Sequence, residues 1–337
     1  MNEERRRVCW VVTDGRRGIE NQALGLAEAV ARITPLTIER RIAPLRDDWR
    51  KDLAARLRAP ALADLAAPDG LQGKEGDAPG PAPDLWIGCG RASLPYSERA
   101  KAWFGDGLFV VQAQHPRRPL DAFDLVVPPR HDGLEGPNVV PILGAPNRIS
   151  ADWLADGRAA FDAFAAPPPA PRLAVLVGGD SKRHRLDDAA LATLLSAIDA
   201  ARAQGWSVLV TTSRRTPAFA VDALRTRLAD APDALLWTSD ADGPNPYAAF
   251  LAAADVVLVT ADSANMITEA ATAGRPTLLA PMRGDDGKLT RLYEALEAHG
   301  ALRRYSGAPL EAWPVTPLAE TDRAAAAIVA LLAERSA

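Results

Sequence analysis

The stretch VTADSANMITEAATAGRPTLL, Val259–Leu279, decides the fold. Val259 closes an apolar, β-branched run, DVVLV, that reads as a buried strand. A short polar turn follows. Met266, Ile267, Ala270 and Ala271 then recur at helical spacing, and Gly274 and Pro276 end the segment before a second apolar run. Strand, turn, helix and strand in this order form the repeating unit of a parallel sheet with crossover helices. The turn places Thr260, Asp262, Ser263 and Asn265 within six residues, and Glu269 follows inside the helix. A cap satisfies the first free N–H groups of a helix, so Asp262 or Ser263 has a structural reason to be there. The cap explains one residue. Asp262, Asn265 and Glu269 stand at i, i+3 and i+7, a polar stripe beside the apolar one. A helix N-terminus suits phosphate, and a carboxylate one turn deeper suits the vicinal hydroxyls of a ribose. A capped helix with a solvated glutamate and a phosphate-and-ribose site both fit this spacing.

The same unit repeats through the second half. LAVLVGG, WSVLVTTS, DALLW, DVVLVTADS and PTLLAP are five strand candidates, with helices at Asp188–Gln204, from Pro217, at NPYAAFLAAA and at Leu289–His299. Ligands of open α/β sheets bind beyond the carboxyl ends of the strands, so the residues after each strand matter most. After the first come Gly178, Gly179, Asp180 and Ser181. Paired glycines either make a tight turn or open backbone N–H groups to a ligand. Ser181, with Lys182, Arg183 and Arg185, can reach anionic oxygens; the segment has neither a Walker loop nor a full GxGxxG spacing. After the second strand, Ser213 or Thr216 can cap the helix that starts at Pro217. Arg214 and Arg215 are either a solvated pair or phosphate ligands.

The first half opens with Val8–Thr13, an apolar run ending in DGRRG. Gly15 and Gly18 make that turn flexible, and Asp14 and Glu20 are its carboxylates. A helix at Glu20–Ile33, a strand at Pro35–Ile42 and a helical stretch at Asp47–Arg58 follow. Pro68–Pro83, full of glycine and proline, reads as a surface loop. DLWIGC, GLFVVQAQ and FDLVVPP are further short strands. His131 and Asp132 stand side by side after the last; they read as a surface turn or as a dyad, which adjacency in a strand does not assure. The proline-rich Phe164–Arg172 is a semi-rigid spacer. It divides the chain into a Rossmann-like domain at 1–165, a second at 172–317, and an alanine-leucine helix at 318–337 able to pack on either.

Composition narrows the function. A chain of 337 residues, 48% hydrophobic and 24% charged, has the length of two domains and the apolar content of a real core. A net charge of -4 argues against nucleic-acid binding, and Arg5, Arg6 and Arg7 read as a solvated tail. Cys9 and Cys89 sit in apolar runs, as buried reduced thiols of a cytoplasmic protein do. Four scattered histidines offer no metal spacing, and no run of about 18 apolar residues suggests a membrane span.

At these residues a family becomes recognisable. WVVTDGRRGIENQALGLAEAV (10–30), FDLVVPPRHDG (123–133), TTSRRTP (211–217), NPYAAFLAAADVVLVTADSANMITEAATAGRP (245–276) and GKLTRLYEAL (287–296) together resemble the mitochondrial-fission (elongated-mitochondria) family, which is widespread in bacteria. The resemblance covers most of the chain. It implies a fold similar to GT-B glycosyltransferases: α/β, with two Rossmann-like doubly wound domains facing a cleft. It also implies a nucleoside-diphosphate sugar as donor substrate, with no separate cofactor or metal, and an acceptor of unknown identity. A lipid-linked acceptor would add peripheral contact with the inner membrane. In nucleotide-sugar enzymes of this fold, a glycine-rich turn, a serine and a glutamate hold diphosphate and ribose; the matching positions here are Gly178, Gly179, Ser263 and Glu269. The candidate nucleotide and phosphate set is therefore Gly15, Gly18, Gly178, Gly179, Ser181, Ser213, Arg214, Arg215, Thr216, Asp262, Ser263, Asn265, Met266 and Glu269. The general base of such enzymes is often a histidine in the first glycine-rich turn. DGRRGIEN has none, which leaves Asp14 as the candidate base. Two other readings follow from the resemblance: an interaction protein on a retained GT-B scaffold, and a nucleotide-sugar epimerase or hydrolase.

Overall fold

A computed structural model describes residues 6–44, 82–164, 167–307 and 309–336. The Asp47–Arg58 helix expected from sequence, and most of the Pro68–Pro83 loop, lie outside the described residues. The chain forms two compact units, Met1–Arg148 with Ala319–Ala337, and Ile149–Leu318.

The first unit is a five-stranded parallel sheet in the order β2-β1-β3-β4-β5. Its strands are β1 (Arg7–Thr13), β2 (Leu36–Ile42), β3 (Leu85–Cys89), β4 (Phe109–Ala113) and β5 (Leu125–Val127). Successive side chains of a strand point to opposite faces, and both faces here are covered. Cys9, Val11, Leu85, Ile87, Phe109 and Val111 pack on one side with α1 (Arg17–Ala31) and α9 (Glu320–Ser336). Trp10, Val12, Trp86, Val110 and Val126 pack on the other with α2 (Leu94–Phe104). Continuous apolar runs in β1, β3, β4 and β5 follow from this double cover, whereas the edge strand β2, LTIERRI, is charged and partly exposed. Two polar atoms are satisfied inside it: the Trp86 indole donates to Ser97 Oγ at 2.9 Å, and Ser97 Oγ donates to the carbonyl of Ser93 at 3.0 Å.

The second unit carries α3 (Ala151–Asp162) and a six-stranded sheet in the order β13-β11-β10-β6-β8-β9. Its strands are β6 (Arg172–Val177), β8 (Ser207–Thr212), β9 (Ala234–Trp237), β10 (Val256–Thr260), β11 (Thr277–Ala280) and β13 (Leu302–Arg304), parallel throughout. Leu173, Val175, Val208, Val210, Val256 and Leu258 pack against α4 (Asp188–Ala203) and α5 (Ala218–Leu228). Leu209 packs on the opposite side with Phe161 of α3 and Phe250 of α6 (Tyr247–Ala253). A separate two-stranded ribbon joins β7 (His184–Arg185) to β12 (Arg283–Gly284). The remaining helices are α7 (Ala264–Thr272) and α8 (Leu289–Ala298).

The division falls at Arg148–Ile149, ahead of the proline-rich stretch. The physical reason is α3: Gly157 lets it approach the Ala248 backbone of α6 closely, and Phe161 is fully buried in that layer. The spacer thus connects two elements of one unit. The C-terminal helix α9 packs on the first unit, where Ala324, Ala325, Ile328 and Leu332 enter the core. Arg32 bonds Asp322 at 2.6 Å, and Glu320 accepts from Leu143 N at 2.9 Å. His131 is buried, in a short 3-10 turn, rather than on a surface turn.

Candidate functional site

Each sheet has a switch point where successive connections depart in opposite directions: between β1 and β3 in the first unit, and between β6 and β10 in the second. Crevices at the carboxyl ends of such strands hold ligands.

In the second unit, three crossover turns meet there. The N–H of Gly178 donates to Thr260 Oγ1 at 2.8 Å, and that of Gly179 to Asp262 Oδ2 at 3.1 Å. Thr260 Oγ1 donates to Asp262 Oδ1 at 2.6 Å, and Arg215 Nη2 donates to Asp262 Oδ2 at 2.6 Å. Arg215 Nη1 also bonds the Asp180 carbonyl at 3.2 Å, while Asp180 N returns a bond to the Arg215 carbonyl at 3.1 Å. Asp262 is thereby a keystone: its side chain is 0% exposed, and it ties the turns after β6, β8 and β10 together. A Cβ on Gly178 would collide with the Asp262 carboxylate, and one on Gly179 with the Arg215 carbonyl. These glycines are there for the close approach of chain to chain, and their N–H groups are already engaged.

This alters several expectations. Asp262 precedes the helix and points into the keystone, so it is not part of the polar stripe; Ser263 caps α7, accepting from Met266 N at 3.4 Å. Neither Ser213 nor Thr216 caps α5, because Pro217 holds the N-cap position. Thr216 Oγ1 instead accepts from Ser213 N at 2.9 Å and donates to the carbonyls of Val177 and Gly178. Ser213 Oγ accepts from Arg215 N at 3.2 Å. Ser181 Oγ accepts from Arg183 N at 3.2 Å and from His184 N at 2.9 Å, closing the turn into β7. Arg214 is exposed, and it is the cation of its turn that Asp262 does not hold. Asn265 and Met266 are half-buried in the first turn of α7.

Glu269 lies one turn deeper on α7, half-buried. Tyr247, at the start of α6, donates its hydroxyl to Glu269 Oε2 at 2.5 Å. Burial raises the Glu269 carboxyl from 4.5 to about 7, against the opposing pull of that hydrogen bond. Burial likewise raises the Tyr247 hydroxyl well above its ordinary value, helped by the charge of Glu269. Tyr247 has no spacing that announces it; its only sequence signal is an aromatic with a polar tip directly after the NP turn. The loop that delivers it is fixed by Asp242, which accepts from Thr238 N at 2.8 Å and Ser239 N at 3.1 Å. Tyr293 of α8 donates to the Ala261 carbonyl and secures the turn after β10 from behind.

In the first unit, Asp14 and Gly15 form the turn after β1. Arg16 grips Asp14 through N at 3.0 Å, Nε at 2.7 Å and Nη2 at 2.5 Å, and the Asp14 side chain is 1% exposed. Gly15 has φ +75°, a conformation that favours glycine. Gly18 falls inside α1 rather than in the turn, and Glu20 pairs with Arg40 at 2.5 Å. Cys9 and Cys89 are free and fully buried, and burial pushes both thiols up, away from the reactive thiolate. Among the described residues, no group of three or more His, Cys, Asp or Glu side chains could hold a metal ion, and no helix is long and apolar enough to cross a membrane.

Two parallel α/β units, each with its polar turns at a switch point, have the GT-B fold. A UDP-GlcNAc 2-epimerase from Methanocaldococcus jannaschii has this fold, with a TM-score of 0.56 at 11% identity over 96% of this chain and 99% of that one. The chain belongs to the Mitochondrial fission ELM1 family, whose model matches residues 17–332. It is 30% identical over 279 residues to the mitochondrial fission protein ELM1 of Arabidopsis thaliana, a match covering 75% of this chain and 65% of that protein. It is 27% identical over 305 residues to RP120, an uncharacterized protein of Rickettsia prowazekii, covering 79% and 81% respectively.

Proposed function

We propose that this protein is a glycosyltransferase of the GT-B type that takes a nucleoside-diphosphate sugar as donor. The observation that carries the reading is the Tyr247–Glu269 pair behind the Ser263-capped start of α7, at the β6–β10 switch point. Tyr247 fixes one carboxylate oxygen and leaves the other for the ribose hydroxyls. The first-turn N–H groups of α7 and the Arg214 guanidinium then take the diphosphate. Gly178, Gly179, Ser213, Thr216 and Asp262 shape the turns around it and do not touch the ligand. In transfer, an acceptor hydroxyl attacks the anomeric carbon. The bond from that carbon to the diphosphate oxygen breaks, and the diphosphate leaves stabilised by these fixed donors. The acceptor proton is assigned to Asp14. Arg16 engages that carboxylate, so Arg16 must turn aside for Asp14 to accept a proton. Because of this ion pair, a module that binds the nucleotide sugar without transferring it is the second reading.

Thermal melting against UDP-, GDP-, ADP- and CMP-sugars tests the proposal. One of them is expected to raise the midpoint, and no shift with any of them at millimolar concentration would contradict it. A labelled donor then separates transfer from epimerisation, hydrolysis and simple binding by the product formed.

A further inference from the structure

The ribbon of β7 and β12 plays no part in the keystone or the Tyr247–Glu269 pair, yet it concentrates charge. Its antiparallel register sets Arg185 opposite Arg283 and His184 opposite Gly284. The next rung outward brings Arg183 to Asp285, and these form an ion pair at 3.2 Å. Residues two apart on a strand share a face, so Arg183, Arg185, Arg283 and Asp285 lie on one side of the ribbon. That side carries three cations and one anion. One rung is charge-matched; the other opposes like charges, an arrangement that destabilises an antiparallel pair unless something compensates it.

Compensation from within the chain is partial. Arg185 Nη1 donates to the Ser181 carbonyl at 2.5 Å, and its Nε lies 3.7 Å from Asp180 Oδ2. These contacts hold the guanidinium in place, and the Asp180 carboxylate offsets only part of its charge. Among the described residues, Arg283 has no carboxylate partner, and it is exposed. The reverse side of the ribbon is anchored: His184 is buried, with Nε2 3.0 Å from Asp286 Oδ1. The Arg183 guanidinium sits where a Cβ on Gly287 would stand. The arginine rung is thus presented by a tied ribbon, and both strands issue from the carboxyl edge of the sheet, after β6 and after β11.

We infer that the Arg185–Arg283 rung is an anion-binding site for a phosphate or diphosphate group. Two guanidinium forks side by side match the oxygens of such a group bidentately, and the bound charge removes the like-charge repulsion across the rung. The group can belong to a soluble phosphate compound or to a lipid headgroup. The site stands whether or not the donor reading holds.

Titration calorimetry of the full chain with inorganic pyrophosphate at low salt tests this. Saturable binding that weakens with added salt is expected. Arg283→Ser should weaken it by about tenfold or more, as expected for loss of a charge-assisted hydrogen bond. Asp285→Asn should tighten it by removing the carboxylate of the neighbouring rung. Arg214→Ser should leave the Arg283-dependent binding unchanged, which separates this site from the proposed diphosphate contact at the start of α7. Absence of saturable binding to the wild type, or binding that Arg283→Ser does not alter, would overturn the inference. Sedimentation with vesicles of phosphatidic acid in phosphatidylcholine identifies the source. Adsorption lost in Arg283→Ser assigns a lipid headgroup, and pyrophosphate binding without adsorption assigns a soluble phosphate compound.

Discussion

Asp262 and Glu269 are two carboxylates seven residues apart with different environments. Asp262 is fully buried but meets three donors, from Gly179, Thr260 and Arg215. Its removal strands those donors, so Asp262→Ala is expected to lower stability by about 3 kcal/mol, read from urea unfolding. Glu269 meets one donor, Tyr247, in a site that burial dominates. Its carboxyl is raised from 4.5 to about 7, so between those values the folded chain keeps a proton that the unfolded chain releases. Stability therefore falls as pH rises through that window. Glu269→Gln should remove this slope: its melting midpoint should exceed that of the wild type near pH 8 and match it near pH 4. In the proposed donor site, the same ionisation would switch on the acceptor for the ribose hydroxyls. Nucleotide affinity is accordingly expected to rise with pH through about 7 in the wild type and to stay flat in Glu269→Gln.

Among the elements, α9 shows best what periodicity conveys and what it leaves out. Its alanine-leucine pattern marks a helix, but the side on which a terminal helix docks depends on contacts far away in sequence. Arg32, Leu143 and the core beside α1 make those contacts. Ile328 is fully buried among them, and Ile328→Ala should cost about 2–5 kcal/mol of the first unit's stability, measured by denaturant unfolding. The central strands were legible because both of their faces are covered, which makes them continuous apolar runs; the edge strand β13, with Arg303 and Arg304 exposed, has no such run and was not. α3 was hidden for the opposite reason: ADWLADGRAAFD buries only Gly157 and Phe161, so its apolar stripe is faint. The β7–β12 ribbon was hidden because a two-residue strand has no period to read. At the site, Ser263 and Glu269 were legible as a cap and a residue one turn deeper. The keystone was not, since Gly178, Arg215 and Asp262 meet only through strand order, which no local spacing records.

At the scale of the molecule, two parallel α/β units carry their polar turns at separate switch points, and the chain returns at its end to the unit where it began. The second unit has the better-equipped site: a capped helix start, an exposed arginine and a half-buried carboxylate held by tyrosine. The first offers a carboxylate already gripped by arginine. Under the proposed function nucleotide binding is assigned to the second unit, and Asp14→Asn is expected to leave nucleotide affinity unchanged by calorimetry while lowering any turnover.

The central claim is that Glu269 meets a ribose. Calorimetry of one nucleoside diphosphate against its 2′,3′-dideoxy counterpart, on the wild type and on Glu269→Ala, tests it most directly. The ribonucleotide should bind the wild type about tenfold or more tightly than the dideoxy compound, and the two should bind Glu269→Ala alike. Equal affinity of both compounds for the wild type would contradict it.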